Sequence, residues 1–197
     1  MPSPKEIQYY LAGLWLLFKQ DPAGFRQLDV SDRGMVRSFW SMIYCLPASI
    51  LTWGWLRIAY QQSVPEGAAG LDFFFRLAMV EAMNWIMPLV MAGLFAWLVG
   101  IGPRFTAIVV TVNWLALPFS YAFAVLVALL IVAPGLSGFI ALCSLILMML
   151  MAAAYLRIFR MVCGGETLIA AALTLIVHVP TMLLSDLLKR FLDIYVG

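Results

Sequence analysis

Hydrophobic positions run through this chain in long blocks, and charged residues gather between the blocks. Four stretches of 19 residues or more contain no Asp, Glu, Lys or Arg: 38–56, 82–103, 105–156 and 167–185. An apolar helix needs about 20 residues to cross the hydrocarbon core of a bilayer. Because none of the stretches alternates apolar and polar positions with a period of two, they predict helices rather than barrel strands.

The longest stretch, 105–156, is too long for one crossing. A single helix over its 52 residues would be about 78 Å long at a rise of 1.5 Å per residue. Pro134-Gly135, followed by Gly138, is the turn chemistry placed to reverse the chain there. The sequence therefore predicts five transmembrane helices, over approximately 36–60, 73–99, 104–132, 136–161 and 166–189.

The segment before the first span carries a helix of its own. Ser3-Pro4-Lys5-Glu6 has a capping serine, a proline suited to the first helical position and a glutamate that completes a capping box. The uncharged run 7–18 has helical periodicity but is too short to span, and Asp21-Pro22 ends it. We expect an amphipathic helix in the membrane interface; a partner-docking helix or curvature sensor is the alternative. The aromatic residues expected near the headgroups are Tyr9, Tyr10 and Trp15.

The expected fold class is an all-α integral membrane protein. Residues 1–35 form the interfacial helix and a linker on the cytoplasmic side, 36–190 form the five-helix bundle, and 191–197 form a short tail. Ser31 or Asp32 is expected to cap the first span.

Composition agrees with this class and excludes others. Hydrophobic residues make up 64% of the chain and charged residues 11%, whereas about 25% of a soluble domain is charged. The net charge of +2 gives no reason to expect nucleic acid as a partner. The partners that we expect are the lipid bilayer and either further copies of the chain or another membrane protein.

Cysteine and histidine spacing predicts neither a metal site nor a cofactor. Cys45, Cys143 and Cys163 form no C-x-x-C pair and have no histidine close in sequence, so we interpret them as small buried hydrophobic residues. The chain also lacks H-E-x-x-H, G-x-S-x-G and paired intramembrane aspartates, and Gly164-Gly165 is followed by Glu166 rather than lysine. We therefore expect no catalytic residues and no enzyme.

Lysine and arginine are distributed unequally between the two ends of the predicted spans. With the N-terminus in the cytoplasm, eight of the 12 basic residues fall on the cytoplasmic side, which is the arrangement of the positive-inside rule. The C-terminus is then expected outside, on the periplasmic side of a bacterial membrane. The basic residues on the far side are Arg57, Arg76, Lys189 and Arg190.

Four polar residues interrupt the spans. Glu81 and Asn84 lie one turn apart in the second span, Asn113 lies in the third, and His178, the single histidine, lies in the fifth. A polar or ionisable group in hydrocarbon is costly, so these residues form a candidate intramembrane polar site for transport or for structure. His178 is interpreted either as a neutral packing residue or as a ligand or proton relay.

Glu81 has two interpretations. The structural one is an ion pair with Arg57 or Arg76 that locks the first two spans together, and the functional one is a proton or cation site made by Glu81 and Asn84. Asp72 and Arg76, spaced i,i+4, are expected to form a separate interfacial pair.

The layout resembles a known family. An interfacial N-terminus, the element Pro22-Ala23-Gly24-Phe25 and five closely connected spans, with a basic end to the fourth over 155–160, are similar to bacterial members of the Yip-domain membrane-protein family. The resemblance covers nearly the whole chain. It implies a non-enzymatic, oligomerising protein of the bacterial inner membrane, with a function in membrane organisation or in interactions within the membrane.

Two functional hypotheses follow. A Yip-like protein predicts a packed bundle without a solvated central cavity. A small transporter or substrate-capture subunit predicts a cavity lined by Glu81, Asn84, Asn113 or His178. The two differ in whether Glu81 and His178 face one interior cavity.

Overall fold

The computed structural model describes residues 1–63 and 70–194, and the regular structure in these ranges is helical throughout. Short 3-10 turns at Pro22–Gln27, Gly102–Arg104 and Pro134–Leu136 connect some of the α-helices. The α-helices are α1 (Pro4–Phe18), α2 (Asp32–Ser38), α3 (Trp40–Ser63), α4 (Leu71–Leu98), α5 (Phe105–Val132), α6 (Ser137–Val162) and α7 (Thr167–Phe191).

Within residues 1–63 and 70–194, five helical segments are long and apolar enough to cross a membrane, which is the predicted number. The first comprises α2 and α3 together, because only a tight turn at Phe39 separates them; its amide donates to the carbonyl of Val36 at 3.3 Å. This segment therefore begins at Asp32, earlier than the predicted 36. Ser31 caps it, since its hydroxyl accepts the amide of Gly34 at 3.1 Å.

Glycine ends two of the long helices. Gly100 follows α4 with φ of 77°, and Gly164 follows α6 with φ of 70°, both in the left-handed region that favours glycine. The chain then turns back within a few residues, as the amide of Ile101 bonding to the carbonyl of Ala96 at 2.9 Å shows. These turns produce the close connections between successive long helices.

The five long segments form a closed ring with α5 at its most enclosed position. In spatial order, α3 packs on α5, α5 on α6, α6 on α7 and α7 on α4, and α4 returns through smaller contacts to α3 and α5. The largest fully buried side chains of α5 and α6 are Trp114 and Phe159. This order leaves an interior space between α3, α4 and α7.

The N-terminal helix is part of the bundle's core. Leu14 and Leu17 of α1 are buried against α5 and α6, and the ring of Tyr10 lies 5.0 Å from that of Trp114. Tyr10 is therefore packed against the protein interior rather than exposed on the outer face of α1. Tyr9 and Trp15 are exposed.

Polar bonds attach α1 at both ends. At its start, the hydroxyl of Tyr44 donates to the carbonyl of Pro2 at 2.6 Å, and Arg37 pairs with Glu6 at 2.9 Å. At its end, the amide nitrogen of Gln20 donates to the carbonyl of Arg157 at 2.7 Å. The helix consequently bridges the first long segment and α6.

The expected capping box is present at the start of α1. The hydroxyl of Ser3 accepts the Glu6 amide at 3.3 Å, and the Glu6 carboxylate accepts the Ser3 amide at 2.7 Å. The Ser3 amide and the Arg37 guanidinium lower the pKa of the Glu6 carboxyl from its usual value. Because the folded pKa is depressed, this contribution to stability is full above the usual pKa and is lost as pH falls through the folded one.

The other end of the bundle has a smaller core. Tyr60, Phe73 and Leu77 are buried there with Ile194, so the described part of the C-terminal segment, up to residue 194, packs back on the helices. Residues 195–197 of the predicted tail lie outside the described residues.

Two glycines allow α1 to contact the turn Pro22–Gln27. A Cβ atom on Gly24 would lie 2.4 Å from the carbonyl oxygen of Gly13, and one on Gly13 would lie 2.8 Å from Cβ of Gln27. Backbone atoms on both sides leave no flexible group to move. A larger residue at either position must separate α1 from the turn.

We expect Gly24→Ala to lower the free energy of unfolding by about 1–3 kcal/mol, because the added methyl group overpacks this contact. The measurement is denaturant unfolding of the purified protein in detergent. Gly138→Ala in α6 is the matched control, since a Cβ atom there meets nothing within 4 Å. Equal stability of Gly24→Ala and wild type would contradict the packing described.

Candidate functional site

The long helices line an open cavity of about 570 Å³, and all five contribute to its wall. Apolar lining comes from α5 and α6, including Phe123 and Met151. The polar lining comes mainly from α3, α4 and α7. Its members include Ser49, Glu81, Asn84, His178, Ser185 and Lys189.

Glu81 faces this cavity without an arginine. The hydroxyl of Ser49 donates to its carboxylate at 2.9 Å, which links α3 to α4. The expected ion pair with Arg57 or Arg76 is not formed among the residues that the structure describes. A carboxylate held by one hydroxyl retains acceptor capacity for a ligand.

The two arginines are engaged elsewhere. Arg57 lies over the ring of Phe74, with its guanidinium carbon 5.7 Å from the ring centre. Arg76 pairs with Asp72, as the i,i+4 spacing predicted, and donates to the carbonyl of Leu192 at 2.6 Å. Arg76 therefore pairs with the carboxylate one turn earlier on its own helix, and it uses a second N–H group to bind the C-terminal segment.

Asn84 shares the inner face of α4 with Glu81, since residues three apart lie on one side of a helix. Its amide nitrogen lies 3.5 Å from the hydroxyl of Ser185 on α7, the upper limit of a hydrogen bond. The two helices thus present polar groups to each other across the cavity.

His178 is both a packing residue and a lining residue. Its ring packs edge-on against Tyr155 at 4.8 Å, and its Nδ1 lies 2.9 Å from the carbonyl of Thr174. Because a carbonyl only accepts, Nδ1 carries the proton, and Nε2 of the neutral ring is an acceptor. Nε2 is buried and has no hydrogen-bond partner among the described residues.

Asn113 does not belong to this cavity, contrary to its place in the candidate site. It is fully buried, and its amide nitrogen donates to the hydroxyl of Ser38 at 2.8 Å. Ser38 in turn donates to the carbonyl of Met35 at 2.7 Å. Asn113 therefore joins α5 to α2 in the interior.

Sequence reasoning missed the contribution of the second half of α7. Thr181, Ser185 and Lys189 line the cavity with His178, and they recur at spacings of three and four. This polar stripe on one helix face is visible in the sequence and is the signal that could have found them. The single histidine was therefore one member of a polar face.

Opposite charges lie on the wall without forming an ion pair. Glu81 and Lys189 line the main cavity, and both also line an adjoining cavity of about 250 Å³ between α3 and α4. No ion pair joins them within the described ranges. The cavity is thus lined by two carboxylates, of Glu81 and Asp186, and by one ammonium group, of Lys189. Asp186 is paired with Arg190 at 3.3 Å, so Glu81 is the carboxylate without an ion pair among the described residues.

The chemistry of this site is that of solute recognition. The carboxylates of Glu81 and Asp186, the amide of Asn84, the ammonium group of Lys189 and several hydroxyls line the cavity together with apolar side chains. No group of three or more His, Cys, Asp or Glu residues in the described ranges could hold a metal ion.

Comparison of the chain with protein-family models, with curated proteins and with solved structures found no match.

The separation of the two asparagines predicts different effects on stability. Asn113→Ala removes a buried hydrogen bond and leaves the Ser38 hydroxyl without its amide donor, so we expect a loss of about 1–3 kcal/mol in the free energy of unfolding. Asn84→Ala, the matched variant on the cavity wall, should cost less than about 1 kcal/mol because its bond is long. Denaturant unfolding in detergent measures both. An Asn84 effect as large as that of Asn113 would contradict the assignment of Asn113 to the interior and Asn84 to the wall.

Proposed function

We propose that this chain is a multi-pass membrane protein that binds a small polar solute in its central cavity, as a transporter or as a substrate-capture subunit. The observation that supports this best is that Glu81 and His178 line one cavity, together with Asn84. A solute site requires such a cavity. The membrane-organising function implied by the Yip-domain resemblance does not require a cavity, so we favour the solute-binding alternative.

Polar side chains on the cavity wall have unused hydrogen-bonding capacity, which supports the proposal that the cavity binds a ligand. Polar groups in hydrocarbon are costly unless their hydrogen bonds are satisfied, and they are usually retained for function. Here Glu81 has one hydroxyl partner, Asn84 a bond at 3.5 Å, and His178 a buried nitrogen without a partner among the described residues. A solute with donors and acceptors would complete the hydrogen bonding of Glu81 and Asn84.

The charges favour a zwitterion. An ammonium group of the solute would pair with Glu81 and a carboxylate with Lys189, while Met148 and Phe123 would contact its apolar part. A volume of about 570 Å³ lies within the range of small-molecule sites, which runs from about 300 to 1,000 Å³. We therefore propose solutes of amino-acid size and charge.

The expected orientation places the mouth of the cavity outside the cell. Ser185 and Lys189 lie towards the C-terminal end of α7, and we propose that this end is periplasmic in a bacterial inner membrane. The N-terminus and the basic ends of α2 and α6 are then cytoplasmic. A solute would enter from outside and reach Glu81 about halfway across.

Binding is tested with the twenty common amino acids as probes. We expect at least one to raise the unfolding temperature of the wild-type protein in detergent, because a ligand that binds the folded state stabilises it. Glu81→Gln should abolish that rise because the ammonium partner is lost. Glu166→Gln, the same change at an exposed residue outside the cavity, is the control. The absence of any shift in wild type, or an unchanged shift in Glu81→Gln, would contradict the proposal.

Orientation is tested with reporters fused after Gly197. We expect alkaline phosphatase at this position to be active and green fluorescent protein to be dark, because both results require a periplasmic C-terminus. The reverse pattern would overturn the proposed orientation and would place the mouth of the cavity at the cytoplasm.

A further inference from the structure

A second, entirely different recess lies on the outside of the bundle. It is a groove of about 360 Å³ between α1 on one side and α5 and α6 on the other. We call it the α1 groove. Its walls consist of apolar side chains, among them Leu11, Trp15, Phe18, Phe119, Leu150 and Ile158.

Two basic side chains lie at one end of the α1 groove. Lys19 lies over the ring of Trp15, with Nζ 5.1 Å from the ring centre, and the guanidinium carbon of Arg157 lies 4.9 Å from the ring centre of Phe18. Both rings are walls of the groove. The cation–π contacts therefore hold two positive charges beside an apolar recess.

No carboxylate neutralises these cations. Neither Lys19 nor Arg157 takes part in an ion pair within residues 1–63 and 70–194. Asp21, two residues from Lys19, accepts the amide of Ala23 at 2.9 Å in its own turn. Both basic side chains are exposed, so they are accessible to an anion.

The position of the groove on the bundle indicates that its ligand comes from the membrane. It opens on the outer faces of α5 and α6, two of the helices apolar enough to cross a membrane, so its surroundings are those of bilayer lipid. Acyl chains match apolar walls, and a phosphate-bearing headgroup of net negative charge matches two unpaired cations.

We propose that the α1 groove is a binding site for an anionic phospholipid. One acyl chain lies between α1 and the α5–α6 pair, and the headgroup lies against Lys19 and Arg157. The bond from Gln20 to the carbonyl of Arg157 keeps the end of α1, and with it Lys19, close to Arg157. The site is thus assembled by the docking of α1.

This site is independent of the solute cavity. The cavity uses Ala116 and Ser120 of α5, whereas the groove uses Leu115 and Phe119. On α6, the cavity uses Tyr155 and the groove uses Ala154. Consecutive residues of a helix point about 100° apart around its axis, so one helix can line both recesses with different residues. The two linings share no residue, and either site can be altered without changing the lining of the other.

The test uses native mass spectrometry of the full chain with phosphatidylglycerol and phosphatidylcholine of identical acyl chains. We expect wild type to bind phosphatidylglycerol at least about tenfold more tightly, on the basis of about fivefold for each basic residue near a headgroup. The double variant Lys19→Gln/Arg157→Gln should bind the two lipids equally. The control Lys5→Gln/Arg33→Gln removes the same net charge away from the groove and should keep the preference.

A variant that fills the groove tests the acyl-chain half of the proposal. Leu150 is 54% exposed, so Leu150→Trp can be tolerated in folding while reducing the space for a chain. It should weaken both lipids about equally, whereas excess inorganic phosphate should displace neither. Equal binding of the two lipids by wild type, a preference that survives in the Lys19/Arg157 variant, or one that is lost in the Lys5/Arg33 control would overturn the proposal.

Discussion

The structure depends on one constraint: a polar group in an apolar interior must find a hydrogen-bond partner. The backbone meets it through helices, and several hydroxyls meet it by donating to the carbonyl four residues earlier, as Thr52, Ser144 and Thr174 do. The amide nitrogen of Asn113 meets it with Ser38, across two helices, while the Oδ1 atom of Asn113 has no partner among the described residues. The buried Nε2 of His178, a residue of the cavity wall, has none there either. Incomplete pairing thus occurs in the interior as well as at the cavity wall, and the place of each residue in the fold distinguishes the two cases.

The N-terminal helix α1 also contributes side chains to the buried core of the bundle. Trp114 of α5 is 1% exposed and packs against Tyr10 of α1, so a helix too short to cross a membrane forms part of the bundle core. Glycine at positions 13 and 24 lets the chain turn back directly beneath α1. Since α1 is fixed by its own turn as well as by α5 and α6, it forms a firm wall, and the space left beside it is the groove.

Features that lie within a single helix could be predicted from the sequence, whereas contacts between two helices could not. Span number, the capping box at Ser3 and the Asp72–Arg76 pair are local, and all are confirmed. Whether Asn113 and Glu81 share a site depends on how α4 and α5 rotate about their axes, which no spacing within either helix contains. The contact of Tyr10 with Trp114 likewise required the packing of two distant segments.

The two faces of α6 show how one helix serves two chemical environments. Tyr155 points to the cavity, where it packs on His178 and donates to the carbonyl of Val112 at 3.3 Å. Ala154 and Ile158 point to the groove, where the walls carry no polar partner to satisfy. In this part of α6 the hydrogen-bonding side chain of Tyr155 lines the cavity, and the residues that line the groove are apolar. Arg157, whose guanidinium carbon lies 4.9 Å from the ring centre of Phe18, places a positive charge beside the groove.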